Sequence, residues 1–125
     1  MKRKEIDEFE TLQGQLYSFY SEMNTLSKKS PNDALNKFKL GLVNSVLKKA
    51  NAFLGPMRRP FADFECFDEV NIPSTSDVLV MVSQYLSAFE KLRAENIYST
   101  YEGWFWHAED GSGKIPTGPP KKLDQ

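Results

Sequence analysis

The apolar residues of this chain recur at helical spacing in three long stretches, the first of which covers residues 5–29. There the apolar positions step alternately by three and four residues, at Phe9, Leu12, Leu16, Phe19, Met23 and Leu26. Acidic side chains crowd the first turns and two lysines close the last, which suits the charge at each end of a helix. The pattern predicts helix 1, whose apolar seam packs either inside the monomer or against a second copy, as a homodimer through helix 1.

The second stretch lies between a helix start signal and a helix stop signal. Ser30 is the expected N-cap with Pro31 in the first turn, and Gly55 followed by Pro56 predicts the end. Between them we expect a buried face made by Leu35, Phe38, Leu42, Val46, Leu47, Ala50, Phe53 and Leu54. Since only a few residues separate helix 2 from helix 1, the two helices are predicted to lie antiparallel.

The third stretch begins after Ser74, which is a good N-cap for the backbone N–H of Asp77, and extends to Tyr101. Its apolar stripe consists of Val78, Val82, Tyr85, Leu86, Phe89, Leu92 and Ile97. The opposite face, which includes Arg93, is expected to be solvated. The first turns are apolar on every side, which is typical of a helix buried all round, so helix 3 is predicted to be the central helix.

Two segments depart from helical spacing. Residues 56–73 contain three prolines and three phenylalanines, Phe61, Phe64 and Phe67, whose rings are expected to anchor an irregular connection to the helices. Residues 104–107 alternate as in a strand, with the two tryptophans on one face, and residues 114–117 can return as the second arm of a hairpin across a turn at residues 110–113.

These elements predict an all-α fold. It is a three-helix bundle with an aromatic-anchored irregular connection before helix 3 and a C-terminal hairpin or extended arm. A length of 125 residues is that of one domain, so we expect a single helical domain over residues 1–117 and a tail with little order over residues 118–125.

Composition narrows the compartment and the classes of partner. The net charge of −1 gives the whole molecule no general attraction to nucleic acid or to an anionic membrane. The only cysteine, Cys66, excludes an intramolecular disulfide and fits a reducing compartment. No window approaches the roughly 20 apolar residues that a membrane span needs. We therefore expect a cytoplasmic protein with no membrane contact.

Motifs of catalysis are weak in this sequence. Residues 111–114 resemble half of a phosphate-binding loop, but Ala108 and Ile115 stand where glycine and Ser or Thr are required. His107 is the only histidine, which excludes a multi-histidine zinc site within one chain. We predict no catalytic residue, no metal site and no cofactor, and an enzyme of unknown type is the third choice of function.

Two segments are candidates for binding a protein partner. The acidic candidates are Asp63, Glu65, Asp68 and Glu69, and the aromatic candidates are Trp104, Phe105, Trp106 and His107. Exposed aromatic clusters form the hot spots of interfaces, although these rings can also cap the core. The leading function is therefore a small non-catalytic protein-interaction or regulatory protein.

The alternative function is a nucleic-acid-binding accessory protein. It uses the basic residues of helix 2 and of the segment after it, Lys37, Lys39, Lys48, Lys49, Arg58 and Arg59. These side chains are spread around the polar face of the helix, whereas a recognition helix concentrates them on one side. A solvated helix face explains the same residues.

Overall fold

The computed structural model describes residues 1–111 and 113–122. Within them the chain forms three α-helices followed by three short strands: α1 (Arg3–Lys29), α2 (Lys37–Leu54), α3 (Thr75–Ala94), β1 (Ile97–Thr100), β2 (Gly103–Trp106) and β3 (Ile115–Thr117). The strands form one antiparallel sheet in the order β1-β2-β3. The fold is therefore α+β.

The prediction of an all-α helical bundle is wrong because α3 ends seven residues before Tyr101, at Ala94. The next residues include the β-branched Ile97 and the aromatic Tyr98, which favour a strand. Ile97 lies opposite Trp106 and Tyr98 opposite Phe105 in the β1–β2 pairing. This pairing gives the predicted hairpin a third strand and makes it a sheet.

The pairing of β2 with β3 matches the hairpin expected from the sequence. Trp104 lies opposite Thr117, Phe105 opposite Pro116 and Trp106 opposite Ile115. The expected turn between the two arms includes Ser112, which lies outside the described residues.

Four aromatic rings join the helices to the sheet. The Phe9 ring of α1 lies 5.1 Å from Phe89 of α3, 5.1 Å from Trp106 of β2 and 6.0 Å from Phe53 of α2. Such pairs contribute about 0.5–1.5 kcal/mol each beyond the burial of their area. Phe9 of α1 therefore contacts both other helices and the middle strand of the sheet. The prediction that the first turns of helix 3 are buried on every side, which was the reason for making it the central helix, is wrong, since Val80 of α3 is 60% exposed.

The second helix begins six residues later than predicted. Ser30 ends α1 instead, donating its N–H to the carbonyl of Leu26 and accepting the hydroxyl of Thr75 on its own carbonyl. Asn36 is the N-cap of α2, and its side chain accepts the N–H of Lys39. Asn is among the best N-caps, and the N–H and carbonyl of Ser30 already form hydrogen bonds with α1 and α3.

The later start is accompanied by a different buried face of α2. Phe38 is 74% exposed and Leu42 is 47% exposed, although both were predicted to be buried. The buried residues of the helix are Leu40, Val43, Asn44, Val46, Leu47, Ala50, Asn51 and Leu54.

Replacing Phe9 by alanine is expected to cost about 3–5 kcal/mol of unfolding free energy, because it removes a buried ring that contacts three other elements. Urea denaturation followed by circular dichroism measures the loss. Tyr101→Ala is the control, since this ring is exposed and its removal should change stability by no more than about 0.5 kcal/mol. Equal losses in the two variants would contradict the central role of Phe9.

Candidate interaction surfaces

The sheet divides the aromatic candidate segment between its two faces. Trp106 is buried in the core and Trp104 is packed against it, whereas Phe105 and His107 alternate to the other side. The structure therefore does not bring Trp104, Phe105, Trp106 and His107 together into one exposed cluster. Trp106 and Phe105 are buried, Trp104 is half-buried and His107 is exposed.

A small aromatic group covers the outer face of the sheet. The ring of Tyr98 lies 4.6 Å from that of His107 and 5.9 Å from that of Phe105. Lys114 places its Nζ 5.3 Å from the centre of the Phe105 ring and forms an ion pair with Glu102 at 2.9 Å. These neighbours help to bury Phe105, which lies outside the main core cluster, so this side of the sheet offers no exposed Phe105 ring to a partner.

The acidic candidates lie on the connection between α2 and α3. Asp63, Glu65, Asp68 and Glu69 are all exposed. Asp68 holds a turn, since its carboxylate accepts the N–H of Val70 at 2.7 Å, and the backbone hydrogen bonds from Val70 and Asn71 lower its pKa. Across residues 1–111 and 113–122, no three His, Cys, Asp or Glu side chains converge in a group that could hold a metal ion.

Two buried asparagines of α2 hold this connection in place. Asn44 donates its amide to the carbonyl of Phe67 and accepts the N–H of the same residue, both at 2.9 Å. Asn51 donates to the carbonyl of Glu65 at 2.9 Å and accepts the hydroxyl of Tyr85 at 2.6 Å. The side-chain amides thus act as a neighbouring strand would, although the segment has no partner strand of its own.

The phenylalanines of the connection are anchored unequally. Phe64 and Phe67 pack against the core and against each other, with ring centres 5.2 Å apart. Phe61 remains 43% exposed. Two of the three predicted anchoring rings are therefore in contact with the core.

The basic candidates are partly committed to contacts inside the chain. Lys39 forms an ion pair with Glu22 at 2.6 Å, and Arg58 forms one with Glu95. Arg59 donates to the carbonyl of Ala62 and to the side chain of Asn51. The other three, Lys37, Lys48 and Lys49, are exposed on α2.

The exposed side of α2 carries a stripe with heptad spacing, which we call the α2 outer stripe. Its five residues are Phe38, Leu42, Ser45, Lys49 and Ala52, and all of them are exposed. Steps of four, three, four and three residues place them along one line of the helix. This helix contains four lysines and no acidic residue.

Sequence reasoning missed both the asparagines and the outer stripe. Asn44 and Asn51 are seven residues apart and interrupt an apolar face, and this spacing was an available signal of polar side chains directed inward. The stripe was missed because Phe38 and Leu42 are apolar and lie at helical spacing from Val46, which also fits a buried face.

The chain has no match among protein-family models, among curated proteins or among solved structures. In the part of the chain that the structure describes, no helix is both long enough and apolar enough to cross a membrane.

Asn44→Ala is expected to lower the free energy of unfolding by about 1–3 kcal/mol, because it leaves the partly buried N–H and carbonyl of Phe67 without partners. Hydrogen exchange measured by mass spectrometry should show that exchange at Phe67 is faster in the variant than in the wild type, and that this increase is larger than any increase in the core of α1. Ser45→Ala, at the next and exposed position, is the control. Unchanged exchange at Phe67 in Asn44→Ala would contradict the proposed anchoring.

Tyr85 is expected to make stability fall at alkaline pH, because burial raises its pKa above the ordinary value of 10.0. The unfolded chain ionises first, so the contribution of the neutral phenol is complete below the ordinary value. It is then lost as the pH rises through the raised pKa of the folded state. Urea unfolding between about pH 8 and about pH 11 should show the stability advantage of the wild type over Tyr85→Phe shrinking with pH. An advantage that stays constant would exclude this linkage.

Proposed function

We propose that this protein is a non-catalytic protein-interaction protein that binds an acidic segment of a partner through the α2 outer stripe. The observation that carries the proposal is the exposure of Phe38 and Leu42, one helical turn apart, on a helix without any acidic residue. Full burial of such a side chain in an interface stabilises it by about 1.5–3 kcal/mol. An apolar pair of this kind is a suitable anchor for a partner.

The charges of α2 define the chemistry of the partner. Lys48 and Lys49 lie on the exposed side, toward the C-terminal end of the stripe, and neither has an ion pair in the described part of the chain. A partner helix with apolar residues opposite Phe38 and carboxylates opposite these lysines complements both ends. Small residues in between, such as Ser45, let a helix approach closely.

Two observations favour a protein over a nucleic acid as the partner. Lys39 and Arg58 already have carboxylate partners, which leaves fewer cations for phosphates. Phe38 and Leu42 offer apolar contact area that a duplex backbone does not need. The acidic segment of residues 63–69 and the segment of residues 104–107 are not part of this proposal, since the first is tied to α2 and the second is largely buried.

We also place the protein in the cytoplasm. The sole cysteine, Cys66, is a free thiol and is only partly buried, which fits a reducing compartment.

The test is photo-crosslinking in cells, with a benzoylphenylalanine at position 41 or at position 14. Gly41 and Gly14 are both exposed helical glycines with no atom within 4 Å of an added Cβ, so they form a matched pair. Gly41 lies beside the outer stripe on α2, whereas Gly14 lies on α1. We expect a protein crosslink from position 41 only, at a partner segment rich in acidic and apolar residues.

Two variants separate the contributions of the stripe. Phe38→Ser with Leu42→Ser should abolish the crosslink, and Lys48→Ala with Lys49→Ala should weaken it several-fold and reduce its salt dependence. Equal crosslinking from both positions would contradict the proposal. A crosslinked species removed by nuclease would favour the nucleic-acid alternative instead.

A further inference from the structure

A buried ion pair near the end of α3 forms the centre of a second surface. The sequence predicts that Arg93 faces solvent, but this side chain is only 3% exposed, and Glu90 is 4% exposed. The Nε and Nη2 groups of Arg93 each donate to one carboxylate oxygen of Glu90 at 2.8 Å. This bidentate contact uses two of the five N–H groups of the guanidinium.

The other three N–H groups bind the last residue of β3 and the segment that follows it. Arg93 donates through Nη1 to the hydroxyl of Thr117 and to the carbonyl of Gly118, both at 2.9 Å, and through Nη2 to the carbonyl of Pro119 at 2.6 Å. Lys121 then donates its backbone N–H to Glu90 at 2.8 Å. Residues 118–121, predicted from the sequence as the start of the tail, are therefore docked on α3, and residues 123–125 lie outside the described residues.

The contacts of Arg93 and Glu90 favour an extended backbone that offers neutral carbonyl oxygens and few N–H groups. Since Glu90 neutralises Arg93, a carboxylate or phosphate ligand would meet the negative charge of Glu90, and neutral carbonyl oxygens are the better acceptors. Prolines at positions 119 and 120 have no N–H to satisfy, and they restrict the backbone to extended conformations. The next available donor, the N–H of Lys121, reaches Glu90.

An aromatic ring completes the recognition. The Nζ of Lys121 lies 5.3 Å from the centre of the Tyr17 ring of α1. Burial and, to a smaller extent, the negative charge of Glu90 raise the pKa of Tyr17, so the phenol stays neutral. The groove thus fits a segment that offers two backbone carbonyls, two prolines without an N–H, one backbone N–H and one cation.

The docked segment does not seal the groove. Pro119, Pro120 and Lys121 are exposed, and a cavity of about 230 Å³ lined by Ser87, Glu90, Lys91 and Lys121 remains beside it. The segment is held by polar contacts to its backbone, which any chain with the same pattern reproduces. An empty groove would leave two buried N–H groups of Arg93 without acceptors, which favours an occupied groove.

We propose that Tyr17, Glu90 and Arg93 form a peptide-binding groove for extended Gly-Pro-Pro-Lys segments, which residues 118–121 occupy in cis and a proline-rich segment of another protein occupies in trans. This groove is separate from the α2 outer stripe and does not depend on the function assigned to that stripe. A tethered segment has a high effective concentration, so the cis segment competes with any ligand in trans and controls access to the groove.

The test uses the full chain with the cis segment repelled from the groove by Pro119→Asp and Lys121→Asp. These changes add negative charge to a segment that is docked on Glu90, and they remove the cation over Tyr17. The probe is a blocked peptide of sequence Thr-Gly-Pro-Pro-Lys-Lys, and binding is measured by calorimetry. We expect saturable binding that is at least about tenfold tighter than to the wild type, because the competing cis segment is removed. A control peptide with proline in place of the first lysine lacks both the N–H for Glu90 and the cation over Tyr17, and it should bind at least about fivefold more weakly.

Arg93→Lys in the repelled background should abolish binding, since a lysine cannot provide the fork of donors. Failure of the peptide to bind the folded double variant, or equal binding of the control peptide, would overturn the proposal. Should the double variant not fold by circular dichroism, the Nε–H resonance of Arg93 in the wild type is followed by nuclear magnetic resonance during titration with the peptide. A saturable shift supports the groove, and no shift at millimolar peptide overturns it.

Discussion

Four aromatic rings, one from each helix and one from the sheet, meet around Phe9, and the relative positions of all the elements depend on this contact. The Phe9 ring touches Phe53, Phe89 and Trp106, and Phe53 also stacks on Phe89 at 5.9 Å. Aromatic pairs prefer a limited range of distances and tilts, so the group fixes orientation as well as proximity. The sheet is held to the helices through Trp106, which leaves its other face outside the core.

In two irregular segments, polar side chains supply the hydrogen bonds to the backbone that helices and sheets supply in most folds. Asn44 and Asn51 satisfy the backbone of the connection between α2 and α3, and Arg93 satisfies the backbone after β3. Removing one partner of a buried charge pair such as Glu90 and Arg93 generally costs about 3–5 kcal/mol, because the other charge is left uncompensated. Two irregular segments are thereby ordered by three side chains.

The sequence predicted what depends on neighbours along the chain and failed where distant contacts decide. The C-terminal end of α1, the cap at Ser74 and the pairing of β2 with β3 follow from local spacing and are observed. The strand β1 was missed because Ile97 also continues the helical spacing of α3, and only its pairing with Trp106 selects the strand. Arg93 looked solvated because its partners after β3 are distant in sequence. For the candidate surfaces, the alternation of residues 104–107 was correct, whereas the exposure of Phe38 depends on which face of α2 packs against the core.

The register of the sheet has a consequence for self-association. The N–H of His107 donates to the carbonyl of Asn96, so these two residues form a hydrogen-bonded pair. Hydrogen-bonded and non-hydrogen-bonded pairs alternate along antiparallel strands, so the pair of Tyr98 and Phe105 is hydrogen-bonded as well, and the N–H and carbonyl of Phe105 point toward β1. Pro116, opposite Phe105, therefore directs its nitrogen away from β2, toward the open edge of the sheet. Because the proline nitrogen carries no hydrogen, it offers no hydrogen-bond donor to an incoming strand at that edge. Edge strands that contain proline resist the edge-to-edge strand pairing that leads to fibres. The β3 edge of this sheet is therefore a poor template for pairing with a strand of another molecule.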